Sequence, residues 1–197
     1  MAVSSTHASS PIDVCSRALI LIGADPITSF DDNSNESLIA VNMYEDIARS
    51  ALVNSRWRFS TNQVVLNRLS EAPTGRYDAA YQLPSGWLMT HAVTVNDTPI
   101  EYQTYGSKLF CDESSTSTLI LDYTYRADEQ DWPSYFTIAL QYELASAFAV
   151  GLARDQGLAQ LMSSQAQIAM IRARSLDSQQ QTSRKLNTSR FISNRRT

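Results

Sequence analysis

The sequence predicts a mixed α+β fold: a helical bundle of two N-terminal and two C-terminal helices, an inserted small antiparallel β domain, and an extended C-terminal tail. Three observations predict it. Apolar residues recur at three- and four-residue spacing towards both ends of the chain, which is the helical period. They alternate at two-residue spacing in the middle, which is the strand period. The last stretch is polar and strongly basic. The expected boundaries are 10–60 and 132–181 for the bundle, 61–131 for the β domain and 182–197 for the tail.

The first helix opens at Ser10-Pro11, where the serine can cap and proline loses no needed donor. Ile12, Cys15, Leu19 and Ile22 carry its period, and Gly23 is placed to end it. Asp25-Pro26 and the polar 31–35 stretch read as loop. A second helix is expected over about 35–54, with Leu38, Val41, Ile47, Ala48, Ala51 and Leu52 on one broad face. Glu36 near its start suits the helix dipole.

In the middle, 64–66 and 81–83 read as short strands, and 87–95 is rich in β-formers. A turn is expected at 96–99. Residues 100–105 and 108–111 read as a hairpin across Gly106. Leu119, Leu121, Tyr123 and Tyr125 then fall on one face of a final strand. The expectation is one antiparallel sheet of four or five strands.

Helical periodicity returns at Trp132-Pro133 and runs to about Arg154. Tyr135, Phe136, Leu140, Leu144, Ala145, Phe148 and Leu152 cover most of that helix, as expected for the centre of a bundle. After Gly157, Leu158, Leu161, Ile168 and Ile171 form the expected stripe of a last helix reaching Gln179. The outer helices must meet one another to bury these faces.

Composition narrows the function classes. At 197 residues the chain can bury a core of its own. Six glycines make a Gly-rich nucleotide fold improbable. No apolar run reads as a membrane span, since Gln141, Glu143 and Ser146 interrupt the best one. The polar start has no secretory pattern, and Cys15 and Cys111 require no bridge, so a reducing site of synthesis is expected. The net charge of −4 conceals a split. Residues 172–197 hold seven basic residues against Asp177 alone, net +6, and residues 1–171 hold nine basic against nineteen acidic, net −10. Such a division suggests two surfaces facing different partners.

The residues offer no catalytic, cofactor or metal constellation. His7 sits in a polar terminus, and His91 lies in an expected strand without ligand spacing around it. No C-x-x-C, H-E-x-x-H, G-x-S-x-G or P-loop pattern occurs. Asp31-Asp32 and Asp128-Glu129-Asp131 flank expected helix starts, where acids cap or are solvated. Arg56-Trp57-Arg58-Phe59 interleaves aromatics with bases, as single-strand binders do. An aromatic plug where helix passes to strand is the favoured reading, because the acidic body would repel phosphates. In the tail, Arg184, Lys185, Arg190, Arg195 and Arg196 supply charge, and Phe191-Ile192 supplies an apolar anchor. This composition buries too little to fold alone and is suited to docking on a partner.

Several of these residues recur in a familiar order. Cys15-Ser16-Arg17-Ala18-Leu19, Ile22-Gly23-Ala24 and Ile27-Thr28-Ser29-Phe30 come first, followed by Tyr44, Leu52 and Arg56-Trp57-Arg58-Phe59. Tyr81-Gln82-Leu83-Pro84 and Trp87-Leu88 follow, then Phe136, Ala139-Leu140, Leu144-Ala145, Ala149, Arg172-Ala173-Arg174 and Asp177. Over roughly residues 12–180 this order resembles the tail tubular protein A family, the head-to-tail adaptor proteins of short-tailed bacteriophages. Each piece is unspecific alone; the specificity lies in order and spacing. Arg56 and Arg58 depart from the proline and asparagine that the family places around the tryptophan.

The resemblance implies a structural virion protein rather than an enzyme, made in the host cytoplasm. It implies a dodecameric ring of identical copies, with the portal protein above and the tail nozzle below. DNA would pass through the channel without specific binding, and neither cofactor nor membrane is implied. The tail residues Arg184 to Arg196 named above are then the expected portal contacts. A cell-wall hydrolase with paired carboxylates and a nonspecific DNA-binding module are the alternatives.

Overall fold

The computed structural model describes residues 7–70, 73 and 75–180. Within them the chain is mixed α+β, with four α-helices and two antiparallel sheets. The expected tail, including Arg184, Lys185, Arg190, Phe191, Ile192, Arg195 and Arg196, lies outside the described residues.

Helix α1 spans Pro11–Leu21 and begins as its sequence dictates: Ser10 Oγ accepts from Asp13 N at 3.1 Å. Gly23 follows with φ +76°, the left-handed turn that favours glycine. Helix α2, Asn35–Val53, starts where expected and is capped by Ser34 Oγ accepting from Ser37 N. Ser37 is itself buried, and its hydroxyl donates to Phe30 O at 2.7 Å, tying the preceding loop to the helix.

Helix α3, Ser134–Phe148, continues through a π-helical turn at Ala149–Ala153 and stops at Arg154, whose φ is +50°. The turn brings Gly151 so close to α2 that an added Cβ would lie 3.1 Å from Ile39 Cδ1. By length and mean hydropathy (1.4), Ser134–Ala153 does reach the range of a membrane span, contrary to expectation. Its apolar side chains serve the core: Phe136, Leu140, Leu144 and Phe148 are fully buried. Helix α4, Gln156–Gln179, packs antiparallel to α3, with Ser146 Oγ bonded to Ala159 O near one end and Tyr135 Oη to Asp177 near the other. Its cap is Asp155, which accepts from Gly157 N and Leu158 N, so Gly157 lies inside the first turn.

The expected faces of α2 and α4 are corrected. In α4 the buried residues are Ala159, Met162, Ala166, Met170, Ala173 and Asp177, while Leu161, Ile168 and Ile171 are 52%, 62% and 66% exposed. In α2 the expected Ala48, Ala51 and Leu52 are buried, joined by Ala40 and Tyr44, whereas Leu38 and Val41 face outward. The physical reason is close approach. Alanines let α4 lie near α3, and flexible methionines fill what space remains. The bulkier Leu161, Ile168 and Ile171 are left largely exposed.

The expected single sheet is two. Strands β1 (Thr61–Val65), β7 (Leu119–Tyr125), β3 (Trp87–Val95) and β4 (Thr98–Pro99) form one sheet in that order. Strands β2 (Ala79–Gln82), β6 (Lys108–Cys111) and β5 (Gln103–Tyr105) form the other. The β3–β4 hairpin turns through Asn96 and Asp97, both with positive φ, as a two-residue hairpin requires. Both sheets feed one core: Val93, Leu119, Leu121 and Tyr123 from the first, and Ala79, Tyr81, Leu109 and Cys111 from the second. A separate core gathers the helices around Leu19, Tyr44, Leu52, Trp57, Phe136 and Phe148. Tyr125 touches both cores.

Candidate functional site

The polar chemistry concentrates where strand β7 hands the chain back to the helices. Arg126, the first residue after β7, has its guanidinium largely covered. Its Nη2 donates to Glu45 Oε2 of α2 at 3.0 Å and to Glu129 Oε1 at 2.5 Å. Its Nε donates to Glu45 Oε1 at 3.2 Å. Tyr44 Oη donates to the same Glu129 oxygen at 2.6 Å. The guanidinium lies 5.2 Å from the Trp132 ring centroid, a cation–π contact. Trp132 Nε1 donates to Ala127 O at 3.0 Å.

The electrostatics follow from that packing. Burial alone would raise the Glu45 carboxyl, but hydrogen bonds from Arg126 and Arg49 hold it below its ordinary value. Burial lowers and the two carboxylates raise Arg126, and the carboxylates prevail, so it keeps its charge. Burial, and then the hydrogen bond to Glu129, raise the Tyr44 hydroxyl. Cys15 lies in the same region, and burial with the nearby Glu129 charge pushes its thiol up to about 12. At neutral pH that thiol is protonated and unreactive. Here the polar groups satisfy one another, and the cluster is a structural joint.

A second joint sits at the far end of α4. Asp177 is buried and accepts from Arg58 N at 3.3 Å and from Tyr135 Oη at 2.8 Å. Burial, and then Asp177, push the Tyr135 hydroxyl up to about 12. Next to it Trp57 is fully buried, its Nε1 donating to Ala51 O at 2.9 Å, with Phe136 edge-on at 5.1 Å. The indole is closed off as a stacking platform. Arg56 turns outward to Asp122 at 3.5 Å.

The remaining candidates scatter. His7 is exposed, and the half-buried ring of His91 bonds to Thr124 Oγ1 at 2.7 Å. Burial, with Arg56 nearby, holds the His91 pKa below its ordinary value despite the Asp122 charge. Asp32 accepts from Thr28, and Asp128 and Asp131 are exposed. Glu129, expected to cap or be solvated, is instead buried in the joint. Among the described residues no three His, Cys, Asp or Glu side chains gather as metal ligands.

What is open to a partner is surface. A groove of about 440 Å³ runs between α3 and α4, lined by Glu143, Ser146, Ser163, Met170, Ile171 and Arg174 among others. Burial raises the Glu143 carboxyl, and among the described residues it has no hydrogen bond or ion pair. Outside the groove, Leu161 and Ile168 stand exposed on α4, Leu38 and Val41 on α2, and Val150 on the π-helical turn. Sequence reading did not single out Arg126 or Glu45, because the contact between them spans 81 residues, and it met Glu143 only as a break in an apolar run. Tyr44 entered only through the resemblance, and Asp177 through it and as the one acid of the basic end. Set against known proteins, the chain matches no family model and no curated protein.

Proposed function

We propose that this chain is a non-enzymatic structural subunit, a head-to-tail adaptor of a short-tailed bacteriophage. In this reading, residues 10–60 and 132–180 form a helical bundle into which the β unit, 61–131, is inserted. Copies close into a ring, twelve by the resemblance, between the portal protein and the tail nozzle. The basic segment 182–197 reaches the portal, and DNA passes through the channel.

One observation carries the reading beyond the resemblance. Large apolar side chains are exposed on every helix, and the pairs Leu38 and Val41 on α2 and Leu161 and Ile168 on α4 are the ones we assign to the interface. A head-to-tail interface that closes into a ring needs two unlike surfaces on each subunit, and α2 and α4 supply them. The acidic balance of residues 1–171 suits a channel wall that does not grip DNA. Polar groups tied into joints suit a scaffold better than a catalyst.

The test is assembly state. The core is built within one chain, so the purified protein at micromolar concentration is expected to be monomeric by light scattering. With the portal protein of the same particle added, it is expected to shift to a species of many identical subunits. A ring without the partner contradicts the expected monomer but not the ring, whereas a fixed dimer, insoluble aggregate or absence of any shift contradicts the reading.

A further inference from the structure

We infer that the groove between α3 and α4 is a docking site for this chain's own basic segment, residues 181–197, seated through Phe191-Ile192 and Arg190. The groove is mostly apolar, with Met170 and Ile171 along it, yet it holds one carboxylate, Glu143, without a partner among the described residues. A half-buried charge without a counter-ion is costly, and burial already raises this carboxyl. The occupant that relieves the cost carries a cation directly beside a large apolar side chain. Arg190-Phe191-Ile192 has that sequence, and Phe191 is the only aromatic residue in the sequence beyond Phe148, which is buried in the core.

Reach allows the contact. The described chain ends at Gln180, whose side chain bonds to Tyr135 at 3.4 Å. Met170 lies about 15 Å back along α4 at helical rise. The stretch from Gln180 to Phe191 can span up to about 36 Å when extended, enough to reverse and return. The antiparallel packing of α3 and α4 puts Glu143 towards the Ser163 end and Arg174 at the other. A segment returning from Gln180 passes Arg174 first, which has no ion pair among the described residues, so its polar part, Asn187 to Ser189, is placed there and Arg190 goes on to Glu143. Tethering sets the local concentration near millimolar, above any micromolar neighbour, which commits the site to the same chain.

The occupied groove keeps the basic segment on the subunit until a more acidic partner takes it. This inference does not rest on the ring reading, because it concerns the monomer. The experiment uses the full chain carrying Ser163→Cys with Ser193→Cys, joined by a short bis-maleimide. Cys15 and Cys111 are buried and form a quiet background. The control pair is Gln63→Cys with Ser193→Cys, since Gln63 is exposed on β1. The expected result is a cross-linked monomer forming at least tenfold faster than in the control. Adding Phe191→Ser should return the rate to the control level, and Glu143→Gln should lower it severalfold and remove its salt dependence. A rate equal to the control, cross-linked dimers in place of monomers, or indifference to Phe191→Ser overturns the inference.

Discussion

Trp57 joins the end of α2 to the aromatic centre of the helices, with Phe136 edge-on and Ala51 O accepting from its indole N–H. Trp57→Ala should therefore cost roughly 3–5 kcal/mol in a denaturant melt, as large core truncations do, and a loss below about 1 kcal/mol contradicts the plug. Arg126 has a different weakness. Arg126→Met fits the space but leaves Glu129 buried with only Tyr44 Oη, so it should cost about 3–5 kcal/mol by the same measurement. Glu45 gives this joint a pH dependence. Its carboxyl is held below its ordinary value of 4.5, so its contribution is complete above that pH and is lost as pH falls through the lower, folded value. Stability of the parent should drop more steeply below pH 4.5 than that of Glu45→Gln; parallel curves contradict the joint. The aromatic plug was legible in Arg56-Trp57-Arg58-Phe59, because a tryptophan at a helix-to-strand crossing has few other uses. The joint was not, because Arg126 and Glu45 are ordinary surface residues until the fold brings β7 against α2.

Helix existence and most helix ends were legible from caps and periodicity: Ser10 and Gly23 bound α1 as written in the sequence. Helix faces were less so. Counting large apolar residues put Leu161, Ile168 and Ile171 inwards, while α4 buries alanines and methionines instead. Spacing alone carries no information on whether small residues are there for close packing. Strand pairing was similarly hidden, because alternation marks a strand without naming its neighbour, and two sheets were read as one. The exposed stripe makes its own prediction. Leu161→Gln with Ile168→Gln should shift stability by no more than about 0.5 kcal/mol, since both residues are solvent-facing in the monomer. The same variant should fail to form rings with the portal protein, as read by sedimentation. Normal assembly would remove α4 from the subunit interface, and a large loss of stability would remove it from the surface.

At the scale of the molecule, two cores meet at Tyr125 and are tied by Arg126, so the sheets are held to the helices by both apolar and ionic contact. Such a subunit suits the ring component proposed above, and the charge division between residues 1–171 and 172–197 gives it two regions of opposite net charge. The acidic body was legible from composition alone. The proposed ring rests on the resemblance, because symmetry is a property of surfaces and no periodicity within one chain records it. The most direct test is electron cryomicroscopy of purified particles containing this protein. The account predicts a closed ring of identical copies, twelve by the resemblance, around the DNA axis at the head-to-tail junction, with α2 of one subunit against α4 of the next. A chain absent from that junction, or present there without rotational symmetry, would contradict it.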